Sequence, residues 1–446
     1  MKSSSRNKFL LVLSTLVIAL MLGGRLSPLH SVSVDSNTVS SLAARGRVSQ
    51  IERQWQQEYE SYFGLDLVQA PLTTDEIEAT LSQLTQQTDK KLALIYVIPK
   101  PEELELLLVI PGASAIRKTL PEAGHQTLLS VVHNFRKKVA KQTSRRGYLA
   151  SAQQLYQWLI APLEADLDAA NIDTLVFCMG PGLRSLPVAA MYDGQAFLVE
   201  KYNLGLIPAF NLTNPQHRSL KDAQVLAMGA SEFERLQDLP AVPLELAAIT
   251  QTLWPGEVFL NREFTLNRLK QQLATQSFGI VHLATHAEFQ PGTPDNSYIQ
   301  LWQNERLNLS QLRQLDWRNL PVELLVLSAC QTALGDQQAE LGFAGLSYQA
   351  GVKSSLASLW NVSDVGTLAL MKEFYRQLAS PEVTTKAEAL RRTQMAILDR
   401  QIQISDQQLR GAGRALALPE ELKEFEGIDL SHPYFWAAFV LVGSPW

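Results

Sequence analysis

The chain has very little cysteine: two residues in 446, Cys178 and Cys330. Two cannot form the disulfide framework that holds small secreted domains together. Pairing them with each other would consume the one thiol placed to do chemistry, so no bridge is expected. Cys178 closes the apolar run 174–177 and reads as a small buried hydrophobe. A cationic block is also lacking. Lys and Arg number 39 against 44 Asp and Glu, a net charge of −5. The densest basic runs, Arg136-Lys137-Lys138 and Arg145-Arg146, are short and read as solvated helix faces. Nucleic acid is not an expected partner. Gly180-Pro181-Gly182 is followed by no Lys-Ser/Thr, which excludes a P-loop. No serine stands in a Gly-x-Ser-x-Gly elbow, which disfavours a serine hydrolase. No short repeat recurs, so no solenoid is indicated. What remains is ordinary globular material, 46% hydrophobic and 19% charged, long enough for two or three domains.

The N-terminus is set apart. Lys2, Arg6 and Lys8 precede an apolar stretch over 9–22, broken by Ser14 and Thr15 and followed by Gly23-Gly24-Arg25. This is the pattern of a signal peptide or a short signal anchor, and it falls short of the ~20 residues a spanning helix prefers. Cleavage would fall near Ser31 or Ser33, although no Ala-x-Ala site stands there. Residues 1–33 are therefore expected to direct export to the periplasm or the exterior, or to tether the protein to a membrane.

Residues 34–89 read as linker and N-terminal helices. The stretch 26–44 is Ser-rich and aperiodic. Val48, Ile51, Trp55, Tyr59, Tyr62 and Phe63 then recur at helical spacing. Thr73-Thr74-Asp75-Glu76 caps a second helix. From about residue 90, strands and helices alternate twice. Strands are expected at 91–99, 105–110, 172–177, 197–202 and 204–207, then at 225–230, 278–287, 322–332, 354–360 and 435–442. Helices lie between them, with a polar insertion at 405–426. The fold class is α/β, a mostly parallel sheet with helices on both faces.

Two of these strands end in residues with covalent chemistry. One delivers His286, the other Cys330, 44 positions later, in the order and near the spacing of caspase-type sites. A thiol needs a base to become a nucleophile, and the carboxyl ends of neighbouring strands can hold the two together. Taken singly, Cys330 would be a buried strand-end thiol and His286 a structural histidine; the pair argues otherwise. His282 lies about 13 Å from His286 on an extended strand, at ~3.3 Å per residue, too far to share a metal. It reads as structural, and no metal or other cofactor is expected.

The motifs 282–286 (His-Leu-Ala-Thr-His), 327–332 (Leu-Ser-Ala-Cys-Gln-Thr), 342–346, 350–352, 359–364 and 432–439, with the turn 182–187 (Gly-Leu-Arg-Ser-Leu-Pro), resemble the CHAT domain family of the caspase and separase superfamily. The resemblance runs from about residue 90 onward. It implies a pseudo-caspase half, 90–215, followed by a catalytic caspase-like half, 216–446. It implies a cysteine endopeptidase that cleaves a protein substrate through a thioester, with Cys330 as nucleophile and His286 as base. Backbone N–H groups of Cys330 and Ala287 would form the oxyanion hole. Asp364 would hold a basic substrate side chain, although Ser363 or Asp364 would also serve as a helix cap. Asp336 is a weaker candidate for that pocket, and Glu288 and Asp295 stand near the histidine loop. Glu340 reads as solvent-facing or as a cap. Relatives often carry tetratricopeptide repeats; none is seen here, so the recruiting part is either absent here or supplied by a separate protein. The alternative is a non-catalytic caspase-like interaction scaffold.

Overall fold

A computed structural model describes residues 36–446 except 66–71, 145, 252, 316, 318–319, 333–335 and 412, and describes only the backbone of 36–40 and 329–332. The proposed leader, 1–33, lies outside the described residues. Residues 40–446 form one unit, and the architecture below is that unit's.

The strand Leu92–Pro99 (β1) shows how the sequence builds the layers. Ala93, Ile95 and Val97 face one core; Leu92, Leu94, Tyr96 and Ile98 face another. An apolar strand covered on both faces belongs inside an α/β sheet. β2 (Leu104–Val109) and β3 (Ile116–Leu120) follow antiparallel, and β4 (Thr174–Met179) and β5 (Asn203–Ile207) run parallel to β1. The second half supplies β6 (Val225–Gly229), β7 (Gly256–Leu260), β8 (Ile280–Phe289), β9 (Tyr298–Gln300), β10 (Arg306–Asn308), β11 (Leu324–Thr332) and β12 (Ser354–Ser358). β13 (Gln403–Ser405), β14 (Gln408–Gly411) and β15 (Gly413–Ala417) form a separate small sheet that starts just before the polar insertion and runs into it, and β16 (Phe439–Gly443) closes the series.

The main sheet has 13 strands, in the order β10-β9-β8-β11-β12-β16-β5-β4-β1-β2-β3, with β6 and β7 attached alongside β8. β16 joins the halves, antiparallel to β12 and parallel to β5. Both halves thus share one mostly parallel sheet flanked by helices, as the alternation predicts. The helix Ser36–Phe63 lays Val48, Ile51, Trp55 and Tyr59 on the first half's second core. Its buried Glu52 accepts hydrogen bonds from the Tyr96 hydroxyl (2.7 Å) and from the Phe210 and Asn211 N–H groups (both 2.9 Å).

Several expectations need correction. The helix begins at Ser36, inside the stretch read as linker, because Ala44 is already buried and its neighbours are good helix formers. Residues 198–201 are a helical turn: the Glu200 carboxylate accepts from the Phe197 N–H and starts it. Likewise Pro433–Trp436 is helical, with the His432 Nδ1 accepting from the Tyr434 N–H, and the last strand starts at Phe439. Strands β3, β7, β9 and β10 were not foreseen. They are short, and β3 and β7 are half-exposed, so no apolar run marks them.

Candidate active site

β8 and β11 are neighbours and run parallel. Each opens with an apolar stretch buried on both faces, Ile280–Val281 and then Leu283–Ala284 in one, 324–327 in the other. Their register advances from Leu324 opposite Ile280 to Leu327 opposite Leu283, then shifts, so that Ala329 faces His286 and Cys330 faces Ala287. Two residues of β8, Ala284 and Thr285, stand against Ser328 alone. This is a β-bulge, a device that re-aims side chains beside active sites. Strand spacing and rise put the Cys330 and His286 Cα atoms roughly 6 Å apart. The Cys330 thiol lies outside the described atoms. β12 pairs with β11 only as far as Leu327. Beyond it β11 no longer pairs with β12, at the carboxyl edge of the sheet, where α/β proteins bind ligands.

The His286 ring is half-buried. Its Nε2 lies 2.7 Å from the Gln237 carbonyl oxygen, and a carbonyl only accepts, so Nε2 carries a proton and donates. The Phe233 ring packs on it at 4.8 Å. Gln237 and Phe233 both come from the loop after β6. Sequence reasoning missed them, since a backbone acceptor leaves no residue signature. His282, one turn of the pleat deeper, is fully buried. Its Nε2 is 2.7 Å from Glu245 Oε1, and its Nδ1 is 3.0 Å from the Tyr375 hydroxyl. Both nitrogens are committed, as expected of a structural histidine. Among the described residues no group of three or more His, Cys, Asp or Glu is placed to hold a metal.

Asp364 is the first residue of the helix Asp364–Leu378, but it does not cap that helix. Ser363 does, accepting from the Gly366 N–H at 3.2 Å. The Asp364 carboxylate instead accepts from the Ala241 N–H, where the helix Val242–Thr250 begins. Burial pushes its pKa up to about 7; the Ala241 N–H pulls it down and the Glu245 carboxylate adds to the rise. Asp364 lines a pocket of about 260 Å³ together with Gln237, Asp238, Glu421, Glu424 and Tyr434, and among the described residues no Lys or Arg lines it. Gln237 therefore belongs both to this pocket and to the His286 contact. Asp336 caps the helix Gln337–Ala344, accepting from the Gln338 and Ala339 N–H groups. Glu288 accepts from the Gln290 amide, and Asp295 is exposed in the turn Pro294–Asn296. Ala287 sits between Cys330 on one side and Ile299 of β9 on the other.

Glu340 is neither solvent-facing nor a cap. It is fully buried, 2.8 Å from the Arg136 guanidinium, and accepts from the Ser185 hydroxyl at 2.7 Å. Arg136 is correspondingly buried, not on a solvated face; it also donates from Nε to the Ser185 carbonyl at 3.2 Å. Beside it the buried Arg184 pairs with Glu58 and stacks over the Tyr59 ring at 5.3 Å. The turn 182–187 thus ties the N-terminal helix to the helix that follows the Cys330 strand. Cys178 is a free, buried thiol, its pKa raised by burial. It sits on β4, four strands from β11 and so about 19 Å away, beyond disulfide reach.

No curated protein matches the chain. Among solved structures it is similar to Saccharomyces cerevisiae separase in complex with securin, at 11% identity and a TM-score of 0.52, over 92% of this chain and 34% of that one. It is also similar to the Arg-specific cysteine proteinase gingipain R, at 11% identity and a TM-score of 0.42, over 72% of this chain and 74% of that one. The first likeness shows a shared caspase-like fold, and this chain spans about a third of the separase chain. A family model described as the CHAT domain matches residues 149–444. Its span takes in His286, Cys330 and Asp364, and by it the chain belongs to the CHAT domain family.

Proposed function

We propose that the chain is a cysteine endopeptidase built on a His286/Cys330 dyad. The observation that carries this reading is the bulged register that sets Ala329-Cys330 beside His286-Ala287 at the open end of two parallel strands. With Nε2 committed to Gln237, Nδ1 is the nitrogen free to take the Cys330 proton. The thiolate attacks a peptide carbonyl and forms a thioester, His286 returns the proton to the leaving amine, and water completes hydrolysis. The N–H groups of Cys330 and Ala287 would stabilise the tetrahedral oxyanion. The acid-lined pocket at Asp364 suits a lysine or arginine side chain, and a guanidinium would find the planar partner it binds most selectively. The substrate is a protein, presented with the help of a separate recruiting chain. Residues 1–33 export or tether the enzyme; a fusion of that segment to a periplasmic reporter tests this, and an inactive reporter overturns it.

The dyad is tested by labelling purified protein with an acyloxymethyl ketone carrying Arg or Lys, then weighing intact wild type, Cys330→Ala and His286→Ala. Added mass on wild type alone supports the dyad and a basic specificity. No label from basic, neutral or acidic probes would leave the interaction scaffold as the better account.

A further inference from the structure

The opposite edge of the sheet holds a lysine that the peptidase reading does not use. Lys386 begins the helix Lys386–Leu398 and is 3% exposed. Among the described residues it has no hydrogen-bond or ion-pair partner. A buried ammonium without a counter-charge is costly. Desolvation holds the Lys386 pKa down at about 8 against the pull of Glu323. Glu323 pairs through one oxygen with Lys353 at 2.8 Å, and its other oxygen is buried without a hydrogen bond among the described residues.

Lys386 lines a small pocket with His217, Arg218, Ser219, Lys221 and Thr384, and among the described residues no Asp or Glu lines it. The His217 Nδ1 is buried and has no partner among the described residues. Helix-end attraction does not explain the pocket, because the first turn is already satisfied: the Ala387 N–H goes to the Pro445 carbonyl and the Glu388 N–H to Thr385. Arg218, Lys221 and Lys386 supply the positive field; burial and the neighbouring Lys386 hold the His217 pKa below its usual value, so its ring adds no charge. His217, Arg218 and Lys221 belong to the connector that leads from the first half into β6, while Thr384 and Lys386 belong to the second half. Arg218 and Ser219 also line a larger cleft running to Gln276, Ser277 and Glu323. Glu323 precedes β11, seven residues before Cys330, so the pocket lies about 23 Å from the dyad.

We propose that this pocket binds a phosphate-type oxyanion, which supplies the counter-charge Lys386 lacks and clasps the connector to the second half. The anion would accept from Lys386, Arg218 and the Ser219 hydroxyl, a mixed set of charged and neutral donors suited to several oxygens of one group, while the Thr384 hydroxyl already donates to the Thr88 carbonyl at 2.7 Å. The neighbouring cleft leaves room for the body of an organic phosphomonoester.

The test is titration of the full chain with inorganic phosphate and with glycerol 3-phosphate, against sodium chloride at equal ionic strength, read by calorimetry and by the unfolding temperature. Saturable binding to wild type is expected, unchanged in Cys330→Ala, weakened at least tenfold in Lys386→Met and about threefold or more in Arg218→Ala. Tighter binding of the ester would assign an organic phosphomonoester; equal or tighter binding of inorganic phosphate would assign the free ion. Arg218 is exposed, so its variant keeps the test valid if Lys386→Met fails to fold. No stabilisation beyond that of chloride, or unchanged affinity in both variants, would overturn the site and leave Glu323 as the charge that balances Lys386.

Discussion

Asp364 joins two demands in one carboxyl group: it satisfies the start of a helix and lines the pocket beside His286. Its folded pKa of about 7 lies above the unfolded value near 3.8. The folded state therefore binds its proton more tightly. The stability this contributes is complete below about pH 4 and is lost as pH rises toward 7, at about 1.4 kcal/mol per pH unit within that window. Asp364→Asn should flatten the stability-versus-pH curve between those limits, measured by denaturant unfolding at several pH values. The same titration bears on catalysis, since only the ionised carboxylate attracts a cation. For a substrate with arginine before the cleaved bond, kcat/KM should rise through about pH 7 in wild type more steeply than for a neutral-residue substrate. That difference should vanish in Asp364→Asn. Parallel profiles for both substrates in wild type would count against the pocket assignment. At His282 the expectation concerns stability alone. His282→Ala strands the buried Glu245 carboxylate and should cost about 3 kcal/mol.

Among the elements, the helix Gln337–Ala344 is held from two sides. Glu340 enters the Arg136–Ser185 bracket, and the Gly345 at its end lies against the N-terminal helix. Glu340→Ala leaves Arg136 buried without its counter-charge and should lower stability by roughly 3–5 kcal/mol. The double change Glu340→Met/Arg136→Met should cost clearly less than the sum of the single changes, as double-mutant unfolding curves would show. A Cβ at Gly345 would stand 2.5 Å from Phe63 Cε2 and 2.9 Å from the Leu341 carbonyl oxygen. Gly345→Ala should therefore destabilise by about 1–3 kcal/mol, with partial recovery when Phe63→Leu is added. The elements also show what the sequence could and could not reveal. The Thr73 capping box and the apolar runs of β1, β8 and β11 announce themselves because the signal is local. The burial of Glu340 and Arg136 does not, because their charges lie 204 positions apart in the sequence and only the fold brings them together. The bulge in β8 is hidden for the same reason: it exists only relative to the register of β11.

Across the whole molecule, His286 and Cys330 were legible as a pair because each closes a conspicuous strand, and the alternation of elements was enough to give the α/β class. The joining of the halves was not legible, since nothing local in 439–443 marks it as a central strand. Yet β16 stands between β12 and β5, with Val442 opposite Leu206 and Leu441 opposite Leu356. Removing residues 428–446 should therefore loosen the first half as well as the second. Hydrogen exchange at 203–207 should rise at least tenfold in that truncation; unchanged protection there would show that the halves are independently stable. The placement of β16 also sets a clock. A strand made after all others must enter the middle of a sheet whose other members are already synthesised, so the pairing that unites the halves closes over more than 230 residues between Leu206 and Val442. Contacts of such sequence separation form late and slowly. While the chain is being made, β5 and β12 wait as bare edges, open to wrong pairing, and the carboxyl end of β11 rests on a half-built sheet. A protein that acquires its central strand last completes its sheet only after synthesis has passed β16, and on the proposed mechanism Cys330 would reach a competent setting in the same step that seals the exposed edges.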